Sequence, residues 1–286
     1  MSTAAATATG GKPERFEEIV VLGSPKSVHR GIEGCLLDID GTILQDNVPI
    51  DGAIDSLSKL RQAGIPFRFL TNTTRRPRTE ILSQLSAVGL DVPVQDCLTA
   101  PAVTAAWLRD RGAEKLMLLV DPATREEFAE FDLDSHSPDF VVVADLGDTW
   151  TFEILDRAFR ALMEGAELVA MQKNRFWNHK GQLSLDAGPF VAALEFATDQ
   201  KAHLVGKPSP ELFRTVARDF GLATDRIAMV GDDLEADIRG ARAAGLVAVA
   251  VRTGKYRPEA EEITLGTADA VLDSIADLPH WMGIEP

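Results

Sequence analysis

The chain has 286 residues, which at roughly 150 residues per domain gives about two domains, or one large α/β domain carrying an insertion. Its 29 Lys and Arg against 44 Asp and Glu leave a formal charge of −15, which argues against a nucleic-acid or anionic-membrane partner, because both need clustered cations. Apolar residues make up 45% and charged residues 26%, enough for a sizeable core and wrong for a disordered chain.

Residues 1–12, MSTAAATATGGK, are small and polar. They carry neither the apolar core of a signal peptide nor the arginines of a transit peptide, and they are expected to form a disordered tail on a cytoplasmic protein. Residues 1–31 together read as an N-terminal extension. Residues 34–39 (GCLLDI) read as a buried strand, and 53–63 as an amphipathic helix with Ile54, Leu57 and Leu60 on one face and Gly64 as its stop. Residues 65–70 form the next strand, and a helix over 79–88 ends at Gly89. In the middle of the chain, 115–120, 140–144 and 167–172 read as strands, and 125–131, 152–164 and 189–198 as helices. Residues 202–205 and 227–230 are strands, 234–244 is a helix ended by Gly245, and 247–251 is a further buried strand.

This alternation predicts an α/β fold, a doubly wound parallel sheet covered on both faces. No internal repeat and no long linker interrupts it. The middle set therefore reads as a domain inserted into a loop of the first, with 32–100 plus 203–286 as the core and 101–202 as the insertion. No apolar run approaches the roughly 18 residues of a membrane span. Cys35 and Cys97 are too few for a disulfide scaffold or a four-thiolate zinc site, and both are expected to be reduced and structural.

Four short motifs follow predicted strands. Asp38-Ile39-Asp40-Gly41-Thr42 comes directly after the first, where open parallel sheets bind ligands. Alone it reads equally as an acidic helix start or as the metal-holding D-x-D of a sugar-nucleotide transferase. Thr71-Asn72 ends the second strand and is either a phosphate-contacting turn or an N-cap. Lys207, in Gly206-Lys207-Pro208, is either a surface lysine or a cation placed at a strand end. Asp232 and Asp233, with Asp237 beyond them, read as a capped helix start or as hard oxygen ligands suited to Mg²⁺. A capped start accounts for one aspartate better than for two.

Taken together, these motifs stand at strand ends that a parallel sheet brings to one edge. In the order DIDGT, TN, GKP and GDDLEAD they resemble the haloacid dehalogenase superfamily of phosphatases. The resemblance covers nearly everything from Gly34 to the C-terminus, and the insertion between the second and third motifs resembles a C2 cap of subfamily IIA. The segments FLTNTT, AGPFVAALEFAT, VGKP and VRTGKYRP are most similar to the branch that acts on phospholysine, phosphohistidine and pyrophosphate.

The resemblance implies a Mg²⁺-dependent phosphatase of small phosphorylated compounds. In it Asp38 would be the nucleophile that forms an aspartyl-phosphate, and Asp40 the general acid–base. Asp38, Asp40 (through its backbone carbonyl) and Asp232 would hold Mg²⁺, with Asp233 and Asp237 in support. Thr71, Asn72 and Lys207 would bind the transferring phosphoryl group. Asp145, Asp148, Asn174 and Arg175 lie in cap loops that would face the leaving group, although no motif carries them. Arg75, Arg76 and Arg78 read as a solvated helix start, with anion attraction as the alternative. His179 and His203 lack a spaced histidine partner and read as structural or surface residues. A homodimer through the cap is compatible with the resemblance. The rival readings are a phosphomutase, a phospho-receiver module and an idle scaffold. Asp40 and the insertion count against the receiver, and the intact set of acids against the scaffold.

Overall fold

The computed structural model describes residues 31–133, 135–179 and 182–284, so the extension read over 1–31 lies outside the described residues except for Gly31. Short apolar strands whose side chains alternate between two faces build the first sheet. Its order is Ala270–Leu272, Val247–Val251, Ile227–Gly231, Gly34–Leu37, Phe67–Thr71, Cys97–Thr99, with every neighbouring pair parallel. Cys35, Leu37, Val230 and Val249 point to one face and pack with Leu57, Leu60, Ile81 and Leu85 of the helices Ala53–Gln62 and Arg78–Ala87. Leu36, Met229 and Ala248 point to the other and pack with Phe213, Val216 and Ile238. Both faces are buried, which is why the strands are apolar throughout. Both cysteines are buried, Cys35 in the strand Gly34–Leu37 and Cys97 in Cys97–Thr99.

Sequence order reverses between the neighbours Gly34–Leu37 and Ile227–Gly231, so a crevice opens beyond their carboxyl ends. The chain leaves this sheet after Cys97–Thr99 and builds a second parallel sheet before returning. The order of that sheet is His203–Leu204, Glu167–Ala170, Phe140–Val143, Lys115–Leu119, Asp132–Leu133. Helices Phe152–Met163 and Ala187–Thr198 cover one face through Ala158, Leu162, Val191 and Leu194. Helix Ala100–Asp110 covers the other and also joins the two units. Thr99 caps it by accepting from the Ala102 N–H at 3.3 Å, Ala105 and Leu108 enter the second core, and Val103 touches both cores.

The observed elements depart from the sequence reading in several places. Residues 203–204, read as the return to the first sheet, pair with Glu167–Ala170 in the second. The helix read over 125–131 is a run of 3₁₀ turns, Pro122–Phe128, started by Asp121, which accepts from the Ala123 N–H at 2.9 Å. The helix read over 234–244 is a π-helical turn, Leu234–Arg239, followed by a short α-helix, Gly240–Ala244. Wide turns of this kind gather at functional sites. The strands Cys97–Thr99 and Ala270–Leu272 and the helices Ala100–Asp110 and Pro210–Phe220 are additional to the reading. So is the hairpin Leu44–Gln45/Val48–Pro49, whose tip residues Asp46 and Asn47 take φ of 50° and 66°. Among the described residues, no helix is long and apolar enough to cross a membrane.

Candidate active site

Each strand bordering the crevice ends in a carboxylate. Asp38 follows Gly34–Leu37, and its N–H donates to Val230 O at 2.9 Å, which ties it to the neighbouring strand. Asp232 follows Ile227–Gly231, and Asp237 stands in the π-turn behind it. All three are buried, and their carboxylate oxygens lie within 4.8 Å of one another. Lys207 reaches this group from the loop after His203–Leu204. Its Nζ lies 2.6 Å from Asp38 Oδ1 and 2.7 Å from Asp237 Oδ1, with only 2% of the side chain exposed. Asn72 fixes the lysine's backbone from the end of Phe67–Thr71. It donates to Lys207 O at 2.8 Å and accepts from Lys207 N–H at 2.9 Å.

Packing around the acids demands glycine at two positions. A Cβ on Gly41 would stand 2.1 Å from Asp232 Oδ2, and one on Gly254 2.0 Å from the same oxygen. Both residues also take positive φ, at 92° and 58°, which side chains disfavour. The loop carrying Gly254 follows Val247–Val251. It brings the Lys255 N–H to Asp232 Oδ2 at 2.6 Å, Lys255 Nζ to Asp233 Oδ2 at 2.9 Å, and Thr253 Oγ1, which donates to Gly41 O at 2.5 Å.

Burial dominates the electrostatics. It pushes the Asp38 carboxyl well above the usual range, with Asp237 and Asp232 adding to the rise and Lys207 opposing it. It lifts Asp232 to about 7, reinforced by Asp237 and opposed by the Lys255 N–H. Asp237 is raised for the same reason, against the pull of Lys207. For Lys207, burial acts to lower the pKa, but Asp237 and Asp38 outweigh it and hold the ammonium charged. For Asp233, burial is likewise outweighed, here by Lys255 and the Ala236 N–H, and its carboxyl is lowered. When ionised, Asp38, Asp232, Asp233 and Asp237 face the two ammonium groups of Lys207 and Lys255, leaving an excess of two negative charges. That excess, on buried hard oxygen donors, fits a divalent cation of the Mg²⁺ type.

Asp40 stands apart from the buried group. Its carboxylate is half exposed and turned toward Arg76, whose Nη2 lies 3.2 Å from both oxygens. Thr73 Oγ1 donates to Asp40 Oδ2 at 3.0 Å, and the buried Thr71 donates to Thr73 Oγ1 at 3.0 Å and accepts its N–H at 3.1 Å. The structure thus gathers Asp38, Thr71, Asn72, Lys207, Asp232, Asp233 and Asp237 at one sheet edge, with the Asp40 carboxylate at its rim.

The residues read in the cap loops are placed unequally. Asp145 is buried, accepts from the Gly147 N–H at 2.7 Å, and lies 3.8 Å from Arg75 Nη1 of the core loop. Asn174 donates its N–H to Gln172 Oε1 at 2.5 Å, while Arg175 is exposed with its guanidinium 5.9 Å from the Phe176 ring centroid. The backbone joins this segment to the site, since the Gly206 N–H donates to Met171 O at 3.0 Å. His203 pairs with Glu167 at 2.9 Å on the edge of the second sheet. His179 belongs to the strand Phe176–His179.

The arginine run is not a solvated helix start. Arg75 reaches Asp121 at 3.5 Å as well as Asp145, Arg76 holds Asp40, and Arg78 pairs with the partly buried Glu127 at 3.2 Å. The sequence reading also gave no role to Thr73, Thr253, Gly254, Lys255 or the buried Asp186, which caps Ala187–Thr198 and bonds Gln172. The loop after Val247–Val251 was detectable by the same strand-end rule that picked out the four motifs.

Two family models match the chain: a haloacid dehalogenase-like hydrolase over residues 35–134, and a HAD-hydrolase-like model over residues 204–278. The chain is 34% identical over 253 residues to the Homo sapiens phospholysine phosphohistidine inorganic pyrophosphate phosphatase, covering 86% of this chain and 93% of that one. It is 36% identical over 233 residues to Homo sapiens haloacid dehalogenase-like hydrolase domain-containing protein 2, covering 82% and 89%. A solved 4-nitrophenylphosphatase from Thermotoga maritima superposes with a TM-score of 0.81 at 31% identity, covering 87% of this chain and 96% of that one.

Proposed function

Because the chain belongs to the haloacid dehalogenase-like hydrolases and is a phosphatase, we propose that it hydrolyses small phosphorylated compounds through an aspartyl-phosphate on Asp38. The observation that carries this reading is Lys207, buried between Asp38 and Asp237 at the sheet edge where Asp232 also converges.

In the first step a carboxylate oxygen of Asp38 attacks phosphorus. The bond from phosphorus to the leaving oxygen breaks, its electron pair departs with that oxygen, and Asp40 supplies the proton. In the second, water attacks phosphorus and gives a proton to Asp40, the phosphorus–Asp38 bond breaks, and inorganic phosphate leaves with both aspartates restored. Proton transfer of this kind contributes about 10²–10⁴-fold. Thr71, Asn72 and Lys207 hold the transferring group, whose catalysis is mainly positioning and charge stabilisation.

Asp38, Asp232 and the backbone carbonyl of Asp40 would hold Mg²⁺, with Asp233 in support. Bound there, the ion would neutralise phosphoryl charge. Asp237 has Oδ1 on Lys207 and Oδ2 on the Asp233 N–H at 3.1 Å, so its part is to anchor the lysine. The cap, from the helix Ala100–Asp110 to Leu204, would limit the leaving group to small molecules, with Asp145, Asn174 and Arg175 as the residues proposed to face it; of these, Asp145 lies 3.8 Å from Arg75 of the core loop. Pyrophosphate, phosphohistidine and phospholysine are the first substrates to try, given the name of the 34%-identical relative. Phe152 and Phe196, exposed by 83% and 93% on the two packed cap helices, support a homodimer through the cap.

The test is a phosphate-release screen over phosphorylated metabolites, pyrophosphate and phosphohistidine, with and without Mg²⁺, using wild type and Asp38→Asn. Mg²⁺-dependent release by wild type alone supports the reading. Release by the folded Asp38→Asn variant, or full activity after chelation, contradicts it.

A further inference from the structure

Arg76 occupies a position that the chemistry above leaves unused. It stands five residues past Thr71, on a different strand's loop from Asp40, yet its Nη2 spans both Asp40 oxygens at 3.2 Å. The guanidinium is itself backed. Its Nη1 donates to Gln84 Oε1 at 2.6 Å, and Gln84 Nε2 donates to Asn47 Oδ1 at 2.5 Å. Asn47 is the tip of the hairpin Leu44–Gln45/Val48–Pro49, which begins where Leu44 bridges back to Asp40. One planar cation therefore joins the Asp40 carboxylate, the helix Arg78–Ala87 and the hairpin tip. Long side chains at a rim ordinarily sample many rotamers, but one with both ends of its fork engaged is pre-organised.

We propose that Arg76 is a positioning residue for proton transfer, aiming the Asp40 carboxyl at the leaving oxygen with Gln84 and Asn47 as its backing. The proposal rests on the reading of Asp40 as the proton donor. As the proton passes to the leaving oxygen, negative charge develops on Asp40, and a guanidinium already in place stabilises it without rearrangement. An arginine that merely attracts the substrate would help every phosphate monoester alike. One that serves Asp40 helps only those whose leaving oxygen needs a proton. A 4-nitrophenolate leaves without one, whereas an alkoxide does not.

The experiment measures kcat/KM for a series of substituted phenyl and alkyl phosphates on the full chain. This parameter reports the steps up to phosphoenzyme formation and is blind to its hydrolysis. Wild type is compared with Arg76→Met, Arg76→Lys, Gln84→Ala and Asp40→Asn, each checked for an unchanged melting curve. Arg76→Met should lose about tenfold or more on alkyl phosphates and about twofold or less on 4-nitrophenyl phosphate. Its plot of log kcat/KM against leaving-group pKa should steepen, with Arg76→Lys intermediate. Gln84→Ala should steepen it less, and it reports on the same device should Arg76→Met fail to fold. A uniform loss across the series, or none, overturns the proposal. If Asp40→Asn itself leaves the slope unchanged, the reading of Asp40 falls and the proposal with it. A steep Asp40→Asn beside a flat Arg76→Met overturns the proposal alone.

Discussion

Lys207 is expected to carry more of the cleft's stability than Asp38, which it touches at 2.6 Å. Asp38→Asn keeps an oxygen for the ammonium to contact and removes one carboxylate from a group that burial and mutual repulsion hold in the protonated direction. Lys207→Met leaves Asp38 and Asp237 buried without their cation, a change that typically costs about 3–5 kcal/mol. Urea unfolding of the metal-free proteins should therefore show Lys207→Met far less stable than Asp38→Asn, although both lose turnover. Equal stabilities would mean the ammonium is not the main counter-charge. Asp232 allows a test with a sign. Its carboxyl is raised from 3.8 to about 7, so between those values the folded protein holds a proton that the unfolded chain has released. Its contribution to stability is fully present at low pH and is lost as the pH rises toward 7. In chelator, Asp232→Asn should gain on wild type from pH 4 to pH 7. A constant difference across that range would show that Asp232 ionises in the fold as it does in the open chain.

At the scale of elements, the central strands were legible because burial on both faces leaves them continuously apolar, as in 34–37, 227–231 and 247–251. The strand-end rule then located Asp38, Thr71, Asn72, Lys207 and Asp232 on one edge. What it could not show depends on partners distant in sequence. The pairing of His203–Leu204 with the second sheet leaves no periodic trace in two residues. The π-turn is set by Asp233 accepting from the Glu235 and Ala236 N–H groups at 3.1 and 3.0 Å while Asp237 reaches inward to Lys207. That wide turn looks like an ordinary helix in sequence. Gly254 and Lys255 follow a strand that was readable in the sequence, but which carboxylates they meet is set by Val247–Val251 lying beside Ile227–Gly231. Gly254→Ala tests that loop. A methyl at 2.0 Å from Asp232 Oδ2, on a backbone with φ of 58°, must displace the carboxylate or the loop. The Mg²⁺ concentration giving half-maximal activity should rise about tenfold, roughly 1.4 kcal/mol of lost binding, with little change in the secondary-structure spectrum. An unchanged Mg²⁺ response would remove Asp232 from the metal site.

Across the whole molecule, the core and cap meet through charge as well as through the shared Val103. Arg75, in the loop after Phe67–Thr71, reaches Asp121 and Asp145; from the first turn of the helix Arg78–Ala87, Arg78 reaches Glu127 and Thr79 Oγ1 donates to Glu126 Oε1 at 3.1 Å. The segment proposed to hold the phosphoryl group is thus also tied to the second unit by ion pairs, which under the proposed function would link leaving-group size to the chemistry beneath it. With a charge of −15 the chain offers no strongly basic surface, and the proposed function accordingly assigns phosphate recognition to Lys207 and its neighbours. The proposed reaction passes through a phosphoryl group bonded to Asp38. Its most direct test is a rapid acid quench of wild type with substrate and Mg²⁺, followed by peptide mass spectrometry. One added phosphoryl group is expected on the peptide containing Asp38, removed by hydroxylamine and missing from Asp38→Asn. Steady turnover with no label on Asp38 at any quench time, or label on another residue, would contradict it.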